Sequence, residues 1–162
     1  MNEIIIERWN SIVREDDIVY HLGDVFMGAD KENALKMVQR LKGKIYLAYG
    51  NHDNDNRIKA MRELSNITDI QMGYRLKYHK YSFCLTHYPM LCSNYDEDKP
   101  LKQRVISLCG HKHSSERFCD MNKGLIYHCE LDAHNCVPIS IEYVLEDIKK
   151  ELSNCKNLVE EK

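Results

Sequence analysis

The chain has 162 residues, 43% hydrophobic and 30% charged, which is typical of a globular protein with one domain. Its 23 lysines and arginines against 25 aspartates and glutamates give a net charge of −2, which argues against nucleic-acid binding through bulk positive charge. No apolar run approaches the roughly 20 residues of a membrane span or forms a leader peptide, so we expect a cytoplasmic protein without a membrane partner.

The first half of the sequence alternates helical and strand patterns. Helical spacing of apolar residues at 2–14 is followed by a buried strand at 18–22. Asp30 is a candidate N-cap for a helix that ends at Leu41. A strand at 44–48 and a helix at 54–65 follow. This alternation is typical of α/β folds.

The second half is rich in strand patterns, at 67–72, 74–78, 81–86, 104–109 and 125–131. Residues 89–103 lack periodicity and predict a surface loop, either solvated or acting as a lid over a site. Ser140 is a candidate N-cap for a last helix to about residue 152. We therefore predict one domain at 1–152 and a polar tail at 153–162 that frays.

Seven cysteines stand at 84, 92, 109, 119, 129, 136 and 155. The number is odd, no pair forms Cys-x-x-Cys, and several cysteines lie in apolar runs. This usage predicts buried free thiols in a reducing compartment rather than disulfides or a thiolate metal site.

Four short motifs carry the candidate chemistry, and each follows an apolar run. They are His21-Leu-Gly-Asp24, Gly50-Asn-His-Asp53, Thr86-His87 and Gly110-His-Lys-His113. The residues in them that could bind a metal are Asp24, Asn51, His87, His111 and His113. Oxygen donors mixed with imidazoles suit Mn²⁺, Fe or Zn²⁺ better than a thiolate-bound structural zinc.

These four motifs, in this order, resemble those of the calcineurin-like metallophosphoesterases, especially the small single-domain phage and bacterial members. The resemblance covers residues 2–152. It implies a four-layer α/β/β/α sandwich of two mixed sheets flanked by helices. It also implies a dinuclear site of divalent ions, with Mn²⁺ expected first and Fe, Zn²⁺ or Ni²⁺ as alternatives. The implied reaction is hydrolysis of a small phosphomonoester or phosphodiester by a metal-activated water.

The resemblance also implies a role for each site residue. Asp24 would bridge the two metals, and His113 would bind the first. The second metal would be held by Asn51, His87 and His111. His52 would stabilise the leaving group or donate a proton to it, and Asp53 would orient His52. For His79 we expect a solvated turn residue, and for His128 and His134 a hydrogen-bonded structural role.

One motif of the family is missing from this sequence. Family members begin with a strand that ends in Asp-x-His and supplies two ligands of the first metal, whereas residues 2–9 resemble the helix after it. The resemblance thus implies a sandwich without its first strand, a weak first metal site and reduced activity. A strand from a second copy, forming a homodimer, is one alternative; a misassigned start codon is the other and the one we favour.

Two further interpretations remain open. The chain could be a non-catalytic remnant that binds one metal or a phosphorylated ligand. It could also be an α/β domain with accidental histidine clusters, in which case removal of Asp24 and His111 would leave metal binding unchanged. Nothing in the sequence identifies the substrate.

Overall fold

The secondary structure alternates helices and strands in its first half and is mostly strand in its second. The computed structural model describes residues 2–28, 30–92, 99–120 and 125–160. The helices are α1 (Asn2–Ile12), α2 (Lys31–Gln39), α3 (Asp55–Met61) and α4 (Ile141–Glu160). The strands are β1 (Ile18–His21), β2 (Lys44–Ala48), β3 (Ile67–Gln71), β4 (Gly73–Tyr78), β5 (Tyr81–Thr86), β6 (Val105–Cys109) and β7 (Ile126–His128).

The strands form two sheets. The first has the order β1-β2-β3 and is parallel, with α2 and α3 as the crossovers that parallel neighbours require. The second has the order β4-β5-β6-β7; among its described strands the β4–β5 hairpin is antiparallel and the other two pairs are parallel. This architecture confirms the predicted α/β fold of two sheets flanked by helices.

Helix packing explains why each sheet is stable. Helix α4 buries Val144, Leu145 and Ile148 in the same cluster as the strand residues Phe83 and Ile106. Trp9 of helix α1 and Val13, the residue after the helix, pack in a second cluster with Ile45 of β2. Burial of each such side chain contributes about 1.5–3 kcal/mol. The two sheets therefore each have a helix against them, which fixes the strand ends in space.

Aromatic residues join the two sheets. The Tyr74 ring of β4 lies 5.4 Å from the Tyr20 ring of β1 and 5.8 Å from the Tyr46 ring of β2. The Tyr74 hydroxyl donates a hydrogen bond to the Leu47 carbonyl at 3.3 Å. Burial raises the pKa of Tyr74, so this hydroxyl stays protonated and remains a donor.

Several local predictions are confirmed. The Asp30 side chain accepts a hydrogen bond from Asn33 N at 3.0 Å, and Ser140 Oγ accepts one from Tyr143 N at 3.2 Å. Residues 78–81 form the predicted hairpin turn. The six cysteines whose side chains are described are free thiols, but the predicted burial holds for Cys92 and Cys109 alone among them, since the other four are partly exposed. Within the described ranges, no helix is long and apolar enough to cross a membrane.

Three boundaries differ from the prediction by three residues or more. Helix α3 ends at Met61 rather than at residue 65, because the hydrogen bonds that follow, from Glu63 N to Ala60 O and from Leu64 N to Met61 O, span three residues instead of four. Strand β7 ends at His128 rather than at residue 131, because its partner β6 ends at Cys109, the residue paired with His128. Helix α4 continues to Glu160 rather than ending near residue 152, because no glycine or proline follows Pro138 to interrupt it. The division into a domain and a tail stays a prediction, and residues 93–98 of the predicted loop lie outside the described ranges.

Candidate metal centre

The carboxyl ends of β1, β2, β5 and β6 lead into the four motifs, and four predicted ligand residues meet there. Their polar atoms surround one imidazole nitrogen, Nε2 of His87. Distances from that nitrogen are 3.0 Å to Asn51 Oδ1, 3.0 Å to His111 Nδ1 and 3.3 Å to Asp24 Oδ2. The structure therefore brings together Asp24, Asn51, His87 and His111, although their role as ligands stays a prediction.

A backbone contact decides which nitrogen of His87 carries the proton. Nδ1 lies 2.7 Å from the Leu22 carbonyl oxygen, which can only accept, so Nδ1 is the donor. The neutral ring then presents a lone pair at Nε2, toward the oxygens of Asn51 and Asp24. Atoms that all present lone pairs repel one another unless a cation lies between them. The donor set therefore fits a divalent metal ion.

Tight backbone turns bring Asp24 to this position. Gly23 has φ +91° and Asp24 has φ +52°, two consecutive left-handed residues of which the first needs glycine. A Cβ atom at Gly23 would lie 2.6 Å from His87 Nδ1 and 2.8 Å from the Ala48 carbonyl. A Cβ atom at Gly50 would meet Asp24 Oδ1 and lie 2.8 Å from His87. Both glycines thus let the ligand loops approach each other.

His21 supports the same turn. Its Nδ1 accepts a hydrogen bond from Gly23 N at 3.2 Å. Burial, as the largest cause, lowers the pKa of His21, so the ring stays neutral and keeps the lone pair that this bond requires. The motif His21-Leu-Gly-Asp24 is therefore stabilised by its own first residue.

Asp53 joins the first two motifs. Only 4% of its surface is exposed. Its carboxylate accepts hydrogen bonds from Asp24 N at 2.6 Å, Gly50 N at 2.9 Å and Val25 N at 3.2 Å. The expectation that Asp53 orients the His52 ring stays a prediction. Its described hydrogen bonds instead hold the backbone of the loops that carry Asp24 and Asn51.

His52 lies at the exposed side of the centre. Its backbone N donates a hydrogen bond to Asp24 Oδ1 at 2.8 Å, so its position depends directly on that carboxylate. Its side chain is exposed to solvent, where a substrate could reach it. Tyr88 borders the centre next to His111, and the centroids of the two rings are 4.7 Å apart.

Arg57 is a residue that the sequence did not reveal, because no motif includes it. Its guanidinium donates hydrogen bonds to three backbone carbonyls, those of His52 at 2.7 Å, Phe26 at 2.8 Å and Gly28 at 2.9 Å. One side chain on α3 therefore ties the loop after β1 to the loop after β2. This contact fixes the spacing between the loops of Asp24 and His52.

His113 is the predicted ligand that lies apart from the others. Its side chain is 73% exposed, and its Nδ1 lies 3.2 Å from Asp132 Oδ2. Among the described residues, the group that could hold a metal here consists of Asp24, His87 and His111, without His113. The role of His113 at a first metal stays a prediction.

His128 and His134 have the hydrogen bonds inside the protein that were expected for them, while their purely structural role stays a prediction. His128 is fully buried between Asp120 and Glu130, with its ring nitrogens 3.0 Å and 2.9 Å from their carboxylate oxygens. His134 Nε2 lies 3.0 Å from the His128 carbonyl oxygen. The sequence signal was a histidine in an apolar strand, but it did not reveal the two carboxylates.

A comparison with family models matches residues 2–128 to the calcineurin-like phosphoesterase superfamily domain. This span includes all four motifs and most of the chain. The chain belongs to this superfamily. The resemblance first drawn from the motifs is thereby confirmed, and it supports a metal-dependent phosphoesterase in general terms.

Two proteins similar to this phosphoesterase chain come from Methanocaldococcus jannaschii and Aquifex aeolicus. It is 27% identical over 154 residues to the uncharacterised protein MJ1445 of Methanocaldococcus jannaschii, across 93% of this chain and 76% of that protein. The crystal structure of the protein of unknown function AQ665 from Aquifex aeolicus matches with a TM-score of 0.68 and 21% identity. That match covers 90% of this chain and 83% of the other, and it supports the fold alone.

A further solved structure, described as a novel archaeal phosphodiesterase, is 18% identical with a TM-score of 0.49. The match covers 82% of this chain and 78% of that one. This similarity is too low to support a comparison of function.

Proposed function

We propose that this phosphoesterase hydrolyses a small phosphomonoester or phosphodiester and that Mn²⁺ is its preferred metal. The observation that carries the proposal is the convergence of oxygen and nitrogen donors around His87 Nε2. Carboxylate, amide and imidazole ligands suit Mn²⁺ and related ions. A bound divalent ion would supply an activated water and neutralise phosphate charge.

The protein residues would divide the work as follows. Asp24, Asn51, His87 and His111 would hold the metal, and Asp24 would give the site its negative charge. His52 would stabilise or protonate the leaving oxygen of the substrate, because its side chain is exposed beside Asp24. Asp53 and Arg57 would keep these loops in place through the backbone contacts described above.

Replacement of His52 by alanine tests the catalytic part of the proposal. General acid catalysis contributes about 10²–10⁴-fold to rate, so kcat for diphenyl phosphate, whose basic phenolate leaving group needs a proton, should fall by about that factor. The Mn²⁺ dissociation constant, measured by isothermal titration calorimetry, should change by less than about threefold, since His52 contributes no ligand atom in this proposal.

The matched control is His79→Asn. His79 is an exposed histidine in the β4–β5 hairpin with φ +51°, a conformation that asparagine tolerates. This variant should keep both turnover and metal affinity. Unchanged turnover in His52→Ala would remove His52 from the mechanism, and loss of metal binding there would mean that it acts on the site's structure.

A second candidate function is binding without catalysis, of one metal or of a phosphorylated ligand. The position of His113 beside Asp132 favours it, because four predicted ligands are gathered at one point and the fifth is not. In that case wild-type protein would bind Mn²⁺ but release no phenol, and His52→Ala would leave ligand affinity unchanged. A strand from a second copy, forming a homodimer, stays a proposal for completing the first metal site.

A further inference from the structure

The loop Gly110-His-Lys-His113 has an unfavourable backbone that needs support from elsewhere. His111 has φ +78° and His113 has φ +50°, in the region that side chains rarely adopt. Non-glycine residues keep such conformations only where the surrounding structure holds them. Lys112, between them, is where that support is found.

Lys112 is held at both its backbone and its side chain. Its backbone N lies 3.2 Å from Glu130 Oε1, and its Nζ lies 2.8 Å from Asp120 Oδ2. The ammonium group and the Asp120 carboxylate form an ion pair at this distance. A single residue of the ligand loop thus has two anchors on two other segments.

A buried histidine links these two anchors. His128 places Nε2 3.0 Å from Asp120 Oδ2 and Nδ1 2.9 Å from Glu130 Oε1. Asp120 therefore contacts both the ammonium of Lys112 and the ring of His128, and Glu130 contacts both the Lys112 backbone N and the same ring. The two carboxylates and the His128 ring are almost fully buried, whereas 42% of the Lys112 side chain is exposed.

This arrangement is not optimal for stability alone. Glu130 Oε2 is buried and has no hydrogen-bond partner among the residues described. Buried carboxylates also lose their hydration, and apolar residues in their place often give equal or greater stability. A cluster that does not maximise stability and lies beside a ligand loop is therefore better explained by its effect on the position of that loop.

The same cluster could be interpreted as a second metal site, since Cys119, Asp120 and His128 each offer a donor atom within 4.8 Å of the others. However, Lys112 Nζ lies 2.8 Å from Asp120 Oδ2 and 3.9 Å from Cys119 Sγ. A positive group thus already contacts two of the three donor residues. The cluster is better described as a lysine site than as a metal site.

We propose that Lys112, Asp120, His128 and Glu130, here called the lysine clamp, position the loop that carries His111 and so set the affinity of the metal centre. Lys112 is a positioning residue in this proposal, since it acts through its neighbour on the chain. The inference rests on the proposed function, because it requires that His111 binds the metal.

The test is Lys112→Met, which removes the ammonium but keeps the length of the side chain. Residues that orient metal ligands typically contribute 10–100-fold to affinity, so the Mn²⁺ dissociation constant should rise by about that factor. Lys112→Arg should recover most of the affinity, because it restores a cation opposite Asp120. The melting temperature without metal, measured by circular dichroism, reports whether either variant is misfolded.

The matched control is Lys44→Met. Lys44 also has an ion pair, at 3.2 Å with Asp16, but this pair is exposed and lies away from the ligand loops. Its loss should leave Mn²⁺ affinity unchanged. If Lys112→Met fails to fold, Asp120→Asn tests the same ion pair while retaining an acceptor oxygen, and it should weaken Mn²⁺ binding by a similar factor.

The outcomes separate this proposal from the proposed function. Wild-type protein that binds no Mn²⁺ would overturn both. If the wild-type protein binds Mn²⁺ and Lys112→Met binds it with unchanged affinity, the lysine clamp alone is overturned. The same holds for unchanged affinity in Asp120→Asn, where that variant is used instead. Lys112→Met could also bind a second Mn²⁺ while its affinity for the Mn²⁺ at the metal centre is unchanged. That result would assign the cluster to metal binding and would overturn the lysine clamp as well.

Discussion

Asp24→Asn should nearly abolish Mn²⁺ binding and, with it, phosphoesterase activity. Asparagine keeps the shape of the side chain and an acceptor oxygen for the His52 backbone N, which donates to Asp24 Oδ1 at 2.8 Å. The substitution removes the negative charge that the Asp24 carboxylate contributes to the predicted metal ligands around His87. Loss of a residue that merely orients a ligand costs 10–100-fold in affinity, so loss of a charged ligand should cost at least about 100-fold.

The measurement is calorimetric titration with Mn²⁺, alongside hydrolysis of bis-p-nitrophenyl phosphate. The free energy of unfolding without metal should fall by at most about 1 kcal/mol, because the hydrogen bond to His52 is retained. Asp16→Asn is the matched control, since Asp16 is 95% exposed and its ion pair with Lys44 lies at the surface. Wild-type Mn²⁺ affinity in Asp24→Asn would exclude Asp24 as a ligand.

Asp53→Asn should destabilise the protein most, although Asp53 is not predicted to bind the metal. Its buried carboxylate accepts from three backbone N–H groups, those of Asp24, Val25 and Gly50. An asparagine NH₂ group would face at least one of these donors without an acceptor. An unsatisfied buried donor costs about 1–3 kcal/mol, and the lost charge adds to this, so we expect a loss of about 3 kcal/mol.

Thermal unfolding without metal checks this expectation, since about 3 kcal/mol corresponds to roughly 6–12 °C in a protein of this size. Asp30→Asn is the control, because asparagine is as good an N-cap as aspartate at the start of α2. A fall of less than about 2 °C in Asp53→Asn would show that the three contacts contribute little.

Sequence patterns were sufficient to predict most of the helices and strands and to identify the four motifs, because both depend on residues that are close together in the chain. The spacing of apolar residues predicts the strand at 44–48 with its observed bounds, and the side chains of Asp30 and Ser140 cap α2 and α4 as expected. Parallel strands place their carboxyl ends together, so residues after β1 and β2 had to meet.

The remaining features of the centre depend on contacts between distant segments. Asp53 was expected beside His52, one residue away, but its described hydrogen bonds reach Asp24 and Val25 across the fold. Arg57 lies outside the four motifs, and the Gly110-His-Lys-His113 motif gives no indication of what Lys112 contacts. The partners of these two residues are backbone carbonyls or carboxylates that only folding brings near. Such contacts cannot be read from periodicity, because no spacing along the chain encodes them.

The most direct test of the account is the number of Mn²⁺ ions bound per chain, measured by elemental analysis of purified protein after reconstitution and desalting. The account predicts at least one Mn²⁺ per wild-type chain, lost in Asp24→Asn and retained in Asp16→Asn. A second ion would mean that other groups join His113 at a first metal site. Folded wild-type protein without any bound Mn²⁺ would contradict the proposed metal centre.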